Sequence, residues 1–143
     1  MNIMTKTILV TEDDIDLLNL YKEILQMNGY NVQTAINGEE AVSKYIQTHP
    51  DLVVMDGNMP KLDGYEAFSQ IIEIDKNAKV VIVTGYSEID LKNKKALEHG
   101  LISIISKPIG VNTLLDLARK YSDVKNLEKQ DSIFNSDLER SIS

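Results

Sequence analysis

Four stretches of the chain place chemically capable side chains directly after apolar runs. Glu12, Asp13 and Asp14 follow "TILVT", Asp56 follows "LVVM", Thr84 follows "VVIV", and Ser106 and Lys107 follow "ISII". Each residue alone has a plain explanation. Acids ahead of a helix cap its free N–H groups and meet the positive end of its dipole. Asp56 suits a turn before Asn58 and Pro60, Thr84 is a β-branched strand residue, and Lys107 could be a surface lysine. "KLDG" at 61–64 reads as a turn signal. Together these explanations strain, because two carboxylates about 4 Å apart repel by roughly 4 kcal/mol at an effective dielectric near 20. Convergence of Glu12, Asp13 and Asp56 therefore demands a raised pKa, an ammonium or a bound cation. A set of oxygen ligands without His or Cys suits a hard ion, and Mg²⁺ is commonly held by one or two carboxylates plus phosphate oxygens and waters. An Asp can attack phosphorus covalently, and the transferred group's equatorial oxygens need the neutralisation that a metal and Lys107 would supply. The chemistry implied is transfer of a phosphoryl group onto a carboxylate.

The elements that must position these groups are legible in the spacing. Short β-rich runs recur at Thr7–Val10, Asn31–Thr34, Leu52–Met55, Lys79–Val83 and Ile102–Ile105. Between them the apolar residues fall at helical intervals: Leu18, Tyr21 and Leu25; Val42, Tyr45 and Ile46; Leu114, Ala118 and Tyr121. Gly29 and Gly100 stand where helix C-terminal caps are expected. Strands alternating with helices call for an α/β fold with a parallel sheet covered on both faces, and near-continuous apolar strands such as Val80–Val83 fit that burial. In such sheets ligands bind beyond the carboxyl ends of the strands, where the acids, Thr84 and Lys107 all lie.

Composition narrows the function. The 143 residues carry a net charge of −7 with 43% hydrophobic residues, a pI of about 4.8, and no cysteine. The acidic balance argues against direct nucleic-acid binding, which leans on Lys and Arg, and the lack of cysteine excludes disulfides, thiolate metal sites and thiol catalysis. No apolar run exceeds four residues, too short for a membrane span, and the N-terminus lacks secretory-signal features, so a cytoplasmic location is expected. Neither G-x-G-x-x-G nor G-x-x-x-x-G-K-[ST] occurs, which argues against dinucleotide or nucleoside triphosphate binding. The regular pattern ends near Tyr121, and residues 122–143 read as a polar extension or linker.

"ILVTEDD", "DLVVMDGNMPKLDG", "VIVTGY" and "SKP", in this order and spacing, resemble the receiver domain of two-component response regulators, over about residues 5–121. The resemblance implies a doubly wound, flavodoxin-like five-stranded parallel sheet of order 2-1-3-4-5 with helices on both faces. It implies that Asp56 is the phosphoacceptor, supplied by a sensor histidine kinase, a phosphotransfer protein or a small acyl phosphate. Glu12 and Asp13, with Asp56 and the backbone carbonyl of Asn58, match the Mg²⁺ ligands. Thr84 matches the hydroxyl that binds the phosphoryl group, and Lys107, followed by a cis Pro108, matches the family's lysine. Such a domain is a signalling element rather than an enzyme, with only self-phosphorylation and self-dephosphorylation chemistry. It acts on a downstream protein effector through a switch around 87–97 and 104–121, and homodimerisation through that face is possible for the family.

The match departs from the family pattern at several positions. Ile104 stands where the family usually has Tyr or Phe, so the switch is expected to work through other groups. Gly57 replaces a bulky apolar residue and is expected to loosen the loop after Asp56, while Tyr86 is expected either to cover the site in part or to stand as a surface aromatic. His49 and His99 fall at helix ends and carry no assigned role. Two other readings compete. A receiver-like module that binds partners without phosphorylation would not need the full acid, Thr and Lys set that is present. A phosphatase resembling the haloacid dehalogenase superfamily would need a second Asp where Asn58 stands, and its further acid pair downstream rather than upstream.

Overall fold

The computed structural model describes residues 5–85 and 91–122. The elements run β1 (Thr7–Thr11), α1 (Ile15–Met27), β2 (Asn31–Ala35), α2 (Gly38–Thr48), β3 (Leu52–Asp56), α3 (Gly64–Ile74), β4 (Val80–Thr84), α4 (Leu91–Glu98), β5 (Ser103–Ser106) and α5 (Val111–Leu117), with a π-helical turn over Ala118–Ser122. All four strand pairings are parallel and the order is β2-β1-β3-β4-β5, as expected. Each strand ends one residue beyond the run read from the sequence, so that β3 includes Asp56 and β4 includes Thr84, and both polar side chains sit on the strands themselves. The expectations for Tyr86, for 87–90 and for 123–143 lie outside the described residues.

Strand alternation divides the core into two layers. Leu9, Val53, Met55, Val80 and Ile82 pack under Ala41, Tyr45, Ala67, Phe68, Ile71 and Ala96 of α2, α3 and α4. Ile8, Val10, Leu52, Val54, Val81 and Val83 pack under Leu18, Tyr21 and Leu25 of α1 and Leu114, Leu117 and Ala118 from α5 and the turn after it. The α1 stripe thus buries the three residues the periodicity selects. On α2 the buried face is Gly38, Ala41 and Tyr45, and Ile46 is 52% exposed. One residue of angular drift separates Tyr45 from Ile46, and the large Tyr takes the inward position.

Helix ends follow local chemistry. Asp14 caps α1 by accepting from the Asp16 and Leu17 N–H groups at 3.1 and 3.2 Å. After α1 and α4 the chain reverses at Gly29 (φ 93°) and Gly100 (φ 110°), a left-handed conformation that glycine adopts without Cβ strain. "KLDG" does more than turn the chain: Asp63 and Glu66 form a capping box at the start of α3, which fixes where that helix begins.

That start is tied to the end of β3. A Cβ on Gly64 would lie 2.2 Å from the Asp56 carbonyl oxygen and 2.8 Å from the Gly57 Cα, distances no side chain tolerates. Gly64→Ala should cost about 2–4 kcal/mol by forcing the Asp56–Gly57 backbone and α3 apart. Denaturant unfolding at pH 7 tests this, and a loss below about 0.5 kcal/mol would show that the loop yields freely.

Candidate functional site

Parallel register brings the chemically capable residues to one edge. Thr11 pairs with Met55, so Glu12, one residue on, stands beside Asp56. Asp56 pairs with Val83 and Thr84 with Ser106, which sets Thr84 and Lys107 on the other flank. Backbone bonds extend the ladder past the strands: Glu12 N–H donates to the Ala35 carbonyl at 3.0 Å, Gly57 N–H to Val83 at 2.9 Å, and Lys107 N–H to Thr84 at 2.8 Å. The edge lies at the switch point where the strand order reverses, with β2 on one side of β1 and β3 on the other.

Glu12 and Asp56 are each 3% exposed and Thr84 1%, whereas Asp13 and Asn58 face solvent. Carboxylate oxygens of Glu12, Asp13 and Asp56 all lie within 4.8 Å of one another. The Lys107 ammonium is 3.1 Å from Asp56 Oδ2 and 3.5 Å from Glu12 Oε1. Asp56 Oδ1 accepts from the Asn58 N–H at 3.0 Å, and Glu12 Oε2 accepts from the Asp14 N–H at 3.2 Å. The Lys107–Pro108 peptide bond is cis.

Burial pushes the Glu12 carboxyl up to about 7, with the Asp56 charge adding to the rise and Lys107 only partly opposing it. Burial pulls the Lys107 ammonium down, but its hydrogen bond and charge interaction with Asp56, then those with Glu12, leave it raised overall. Lys107 is therefore a fixed positive charge at neutral pH. One ammonium against three carboxylates leaves net negative charge that a divalent cation would neutralise, and an all-oxygen donor set with solvent on the Asp13 side fits a hard, partly hydrated ion such as Mg²⁺.

Gly57 departs from expectation. It is buried, its N–H and carbonyl are both bonded, the latter accepting from Gly64 at 3.2 Å, and a Cβ there would meet Tyr65 at 3.0 Å and Ile82 at 3.1 Å. The missing side chain is replaced by the Tyr65 ring, so the loop is packed rather than loose. His99 follows its reading as a helix-end imidazole, with Nδ1 2.7 Å from the Lys95 carbonyl. His49 ends α2 and meets Tyr45 edge-on. A cavity of about 560 Å³ opens at the opposite end of the sheet among Tyr45, His49, Asp51, Asp75 and Lys79. It is remote from the carboxylates and contributes nothing to their chemistry.

Strand order, register and an acid edge define a receiver-type α/β domain, and comparison with known proteins agrees. The family model described as "Response regulator receiver domain" matches residues 8–119, so the chain belongs to that family. It is 31% identical to sporulation initiation phosphotransferase F of Bacillus subtilis, over 86% of this chain and 98% of that protein. It is 41% identical to the chemotaxis protein CheY of Treponema pallidum, over 76% of this chain and 77% of that one. Among solved structures, a CheY-like receiver domain from Methanospirillum hungatei superposes with a TM-score of 0.79 at 28% identity, covering 87% and 99% of the two chains. A CheX–CheY complex with BeF3 and Mg²⁺ from Borrelia burgdorferi gives 0.74 at 31% identity, covering 80% and 87%. Among the described residues no helix is long and apolar enough to cross a membrane.

Glu12 has a lower pKa when unfolded, 4.5 against about 7 when folded, so in the metal-free chain stability is lost as pH rises through that window. Thermal unfolding without divalent cations should show Tm falling between about pH 4.5 and 7 and levelling off above that. Glu12→Gln should flatten that slope and raise stability at pH 8 by about 1 kcal/mol, or about 3 °C. A slope unchanged by the substitution would show that Glu12 ionises without penalty.

Proposed function

We propose that the chain is a phosphoacceptor response regulator, with Asp56 as the acceptor and residues 5–121 as the receiver unit. The observation that carries this reading is the convergence of Glu12, Asp13 and Asp56 within 4.8 Å with Lys107 3.1 Å from Asp56. Glu12, Asp13, Asp56 and the Asn58 carbonyl would hold Mg²⁺, which when bound neutralises phosphate oxygens and draws the donor to the edge. An Asp56 carboxylate oxygen bonds to phosphorus while the bond from phosphorus to its donor breaks, and the electron pair leaves with the donor. For a phosphohistidine donor that pair returns to the imidazole nitrogen, and for an acyl phosphate to the acyl oxygen. The Lys107 ammonium stays protonated and pairs with a phosphoryl oxygen, and the Thr84 hydroxyl donates to another. No side chain must give up a proton, in keeping with positioning and charge as the main sources of catalysis in phosphoryl transfer.

The donor class follows from the family: a sensor histidine kinase or a phosphotransfer protein. Output would run to a protein effector through the region of α4, β5 and α5, because Thr84 and Lys107 lie at the ends of β4 and β5 that feed those helices. Phosphorylation adds about −1.5 to −2 charge, which shifts the balance that Lys107 now strikes between Asp56 and Glu12.

Intact mass after incubation with acetyl phosphate tests the reading. A Mg²⁺-dependent gain of one phosphoryl group, absent in Asp56→Asn and reduced at least about tenfold in rate in Lys107→Ala, is expected. No adduct and no consumption of acetyl phosphate would remove the acceptor role from Asp56. Continuous turnover without a stable adduct would instead make the chain a phosphatase.

A further inference from the structure

Tyr65 stands between the acid edge and α4 in a way that the chemistry at Asp56 does not require. It is the second residue of α3, and its ring reaches back over Gly57, the residue that follows Asp56. A point 1.5 Å off the Gly57 Cα, where a Cβ would stand, is 3.0 Å from Tyr65 Cε2, 3.1 Å from Ile82 and 3.5 Å from the Thr84 Cβ. The Tyr65 ring and the Thr84 side chain thus flank the same small space, which exists only because residue 57 lacks a side chain. At its other end the Tyr65 hydroxyl donates to the Asn93 side-chain oxygen. Asn93 is only 6% exposed on α4, an amide held inside by its polar partners.

Around this bond the first turns of α3 and α4 are joined twice more. The Lys92 ammonium lies 3.0 Å from the Asp63 carboxylate and 5.7 Å from the Tyr65 ring centre. Both contacts are exposed and worth little alone, but they hold α4 over the Tyr65 hydroxyl. Ile104, half-buried on β5 against the same core layer as Tyr65, has no polar atom with which to link the edge to a helix. Tyr65 touches both: its ring lies against the Gly57 position beside Asp56 and its hydroxyl meets a buried amide of α4.

We propose that Tyr65 is a positioning residue that couples the Asp56–Thr84 edge to α4, with Gly57 as the seat for its ring and Asn93 as the receiving group. Movement of Thr84 or of the Asp56–Gly57 backbone displaces the ring, and the ring carries the displacement to α4 through its hydroxyl. The use of this coupling in signalling rests on the phosphoryl-transfer reading; the coupling itself does not.

Amide hydrogen exchange of Leu91–Glu98 tests it in four proteins without any phosphodonor: the native chain, Gly57→Ala, Tyr65→Phe and the double variant. Residue 57 is outside the left-handed region, so Ala changes the contact with the ring rather than forcing the backbone. Each single substitution should speed α4 exchange by about threefold to tenfold, the factor for one hydrogen bond, and the double variant should match Tyr65→Phe alone. Amides of β1 and β3 report overall opening and separate a general loss of stability from a local one. Effects that multiply in the double variant, or an α4 that ignores Gly57→Ala, would overturn the coupling.

A second arm adds acetyl phosphate and Mg²⁺, with mass and exchange read on the same samples. The native chain and Tyr65→Phe should gain the same adduct, and the change in α4 exchange should be at least about threefold smaller in Tyr65→Phe. Equal α4 responses would overturn the signalling role of Tyr65. Absence of an adduct in the native chain would contradict the phosphoryl-transfer reading, while the four-protein cycle still decides the coupling.

Discussion

Glu12 and Asp56 are buried side by side at the end of a parallel sheet, and the Lys107 ammonium, 3.5 and 3.1 Å from their respective oxygens, lets them remain there. Removing one partner from a buried charge cluster costs several kcal/mol because the remaining charges are left without compensation. Even with Lys107 in place the balance is incomplete, and the Glu12 carboxyl is pushed up to about 7 by burial first and by Asp56 second. A folded protein that tolerates such an edge is held in a state that a cation, or a group carrying its own cation, can relieve. The reactivity proposed for Asp56 and the instability of the metal-free edge share this origin.

The rest of the fold keeps the edge in register. Parallel pairing from Thr11 to Met55 and from Asp56 to Val83 sets Glu12 and Asp56 level. The strands themselves are anchored by two apolar layers with almost no exposed surface. Close backbone approaches then fix the loops: Gly64 against the Asp56 carbonyl, and Gly38 against Leu62, where a Cβ would lie 2.0 Å from the carbonyl oxygen. With α3 capped by Asp63 and Glu66, the chain leaving Asp56 has one path. That rigidity is what allows a small change at Thr84 or Gly57 to be felt by the Tyr65 ring instead of being absorbed by the loop.

Much of this was legible in the sequence, for physical reasons that differ by element. Strands buried on both faces must be nearly all apolar, so Leu52–Met55 and Val80–Val83 announced themselves, and the polar residues ending them marked the edge. The acid pair, Asp56, Thr84 and Lys107 could be brought together because parallel strands put all their carboxyl ends on one side. What stayed hidden depends on shape. Ile46 and Tyr45 both fit an apolar stripe, and only the packed core decides which turns inward. "KLDG" has the composition of any turn, and its capping box shows only once Glu66 is seen to reach back. Gly57 read as a loosened loop because the ring that fills its place comes from Tyr65, eight residues on, across a helix start that composition does not fix.

Glu12 keeps its proton up to about pH 7, and a hard cation bound at the carboxylate edge would displace it. Isothermal titration of Mg²⁺ into the metal-free chain, in two buffers of different ionisation enthalpy, measures the protons released on binding. With Glu12 titrating near 7, binding at pH 6.5 should expel a large fraction of one proton. At pH 8.5 the release should be close to none, and in Glu12→Gln none at either pH. Mg²⁺ binding with the same proton count at both pH values, or no binding to the native chain at all, would contradict that displacement.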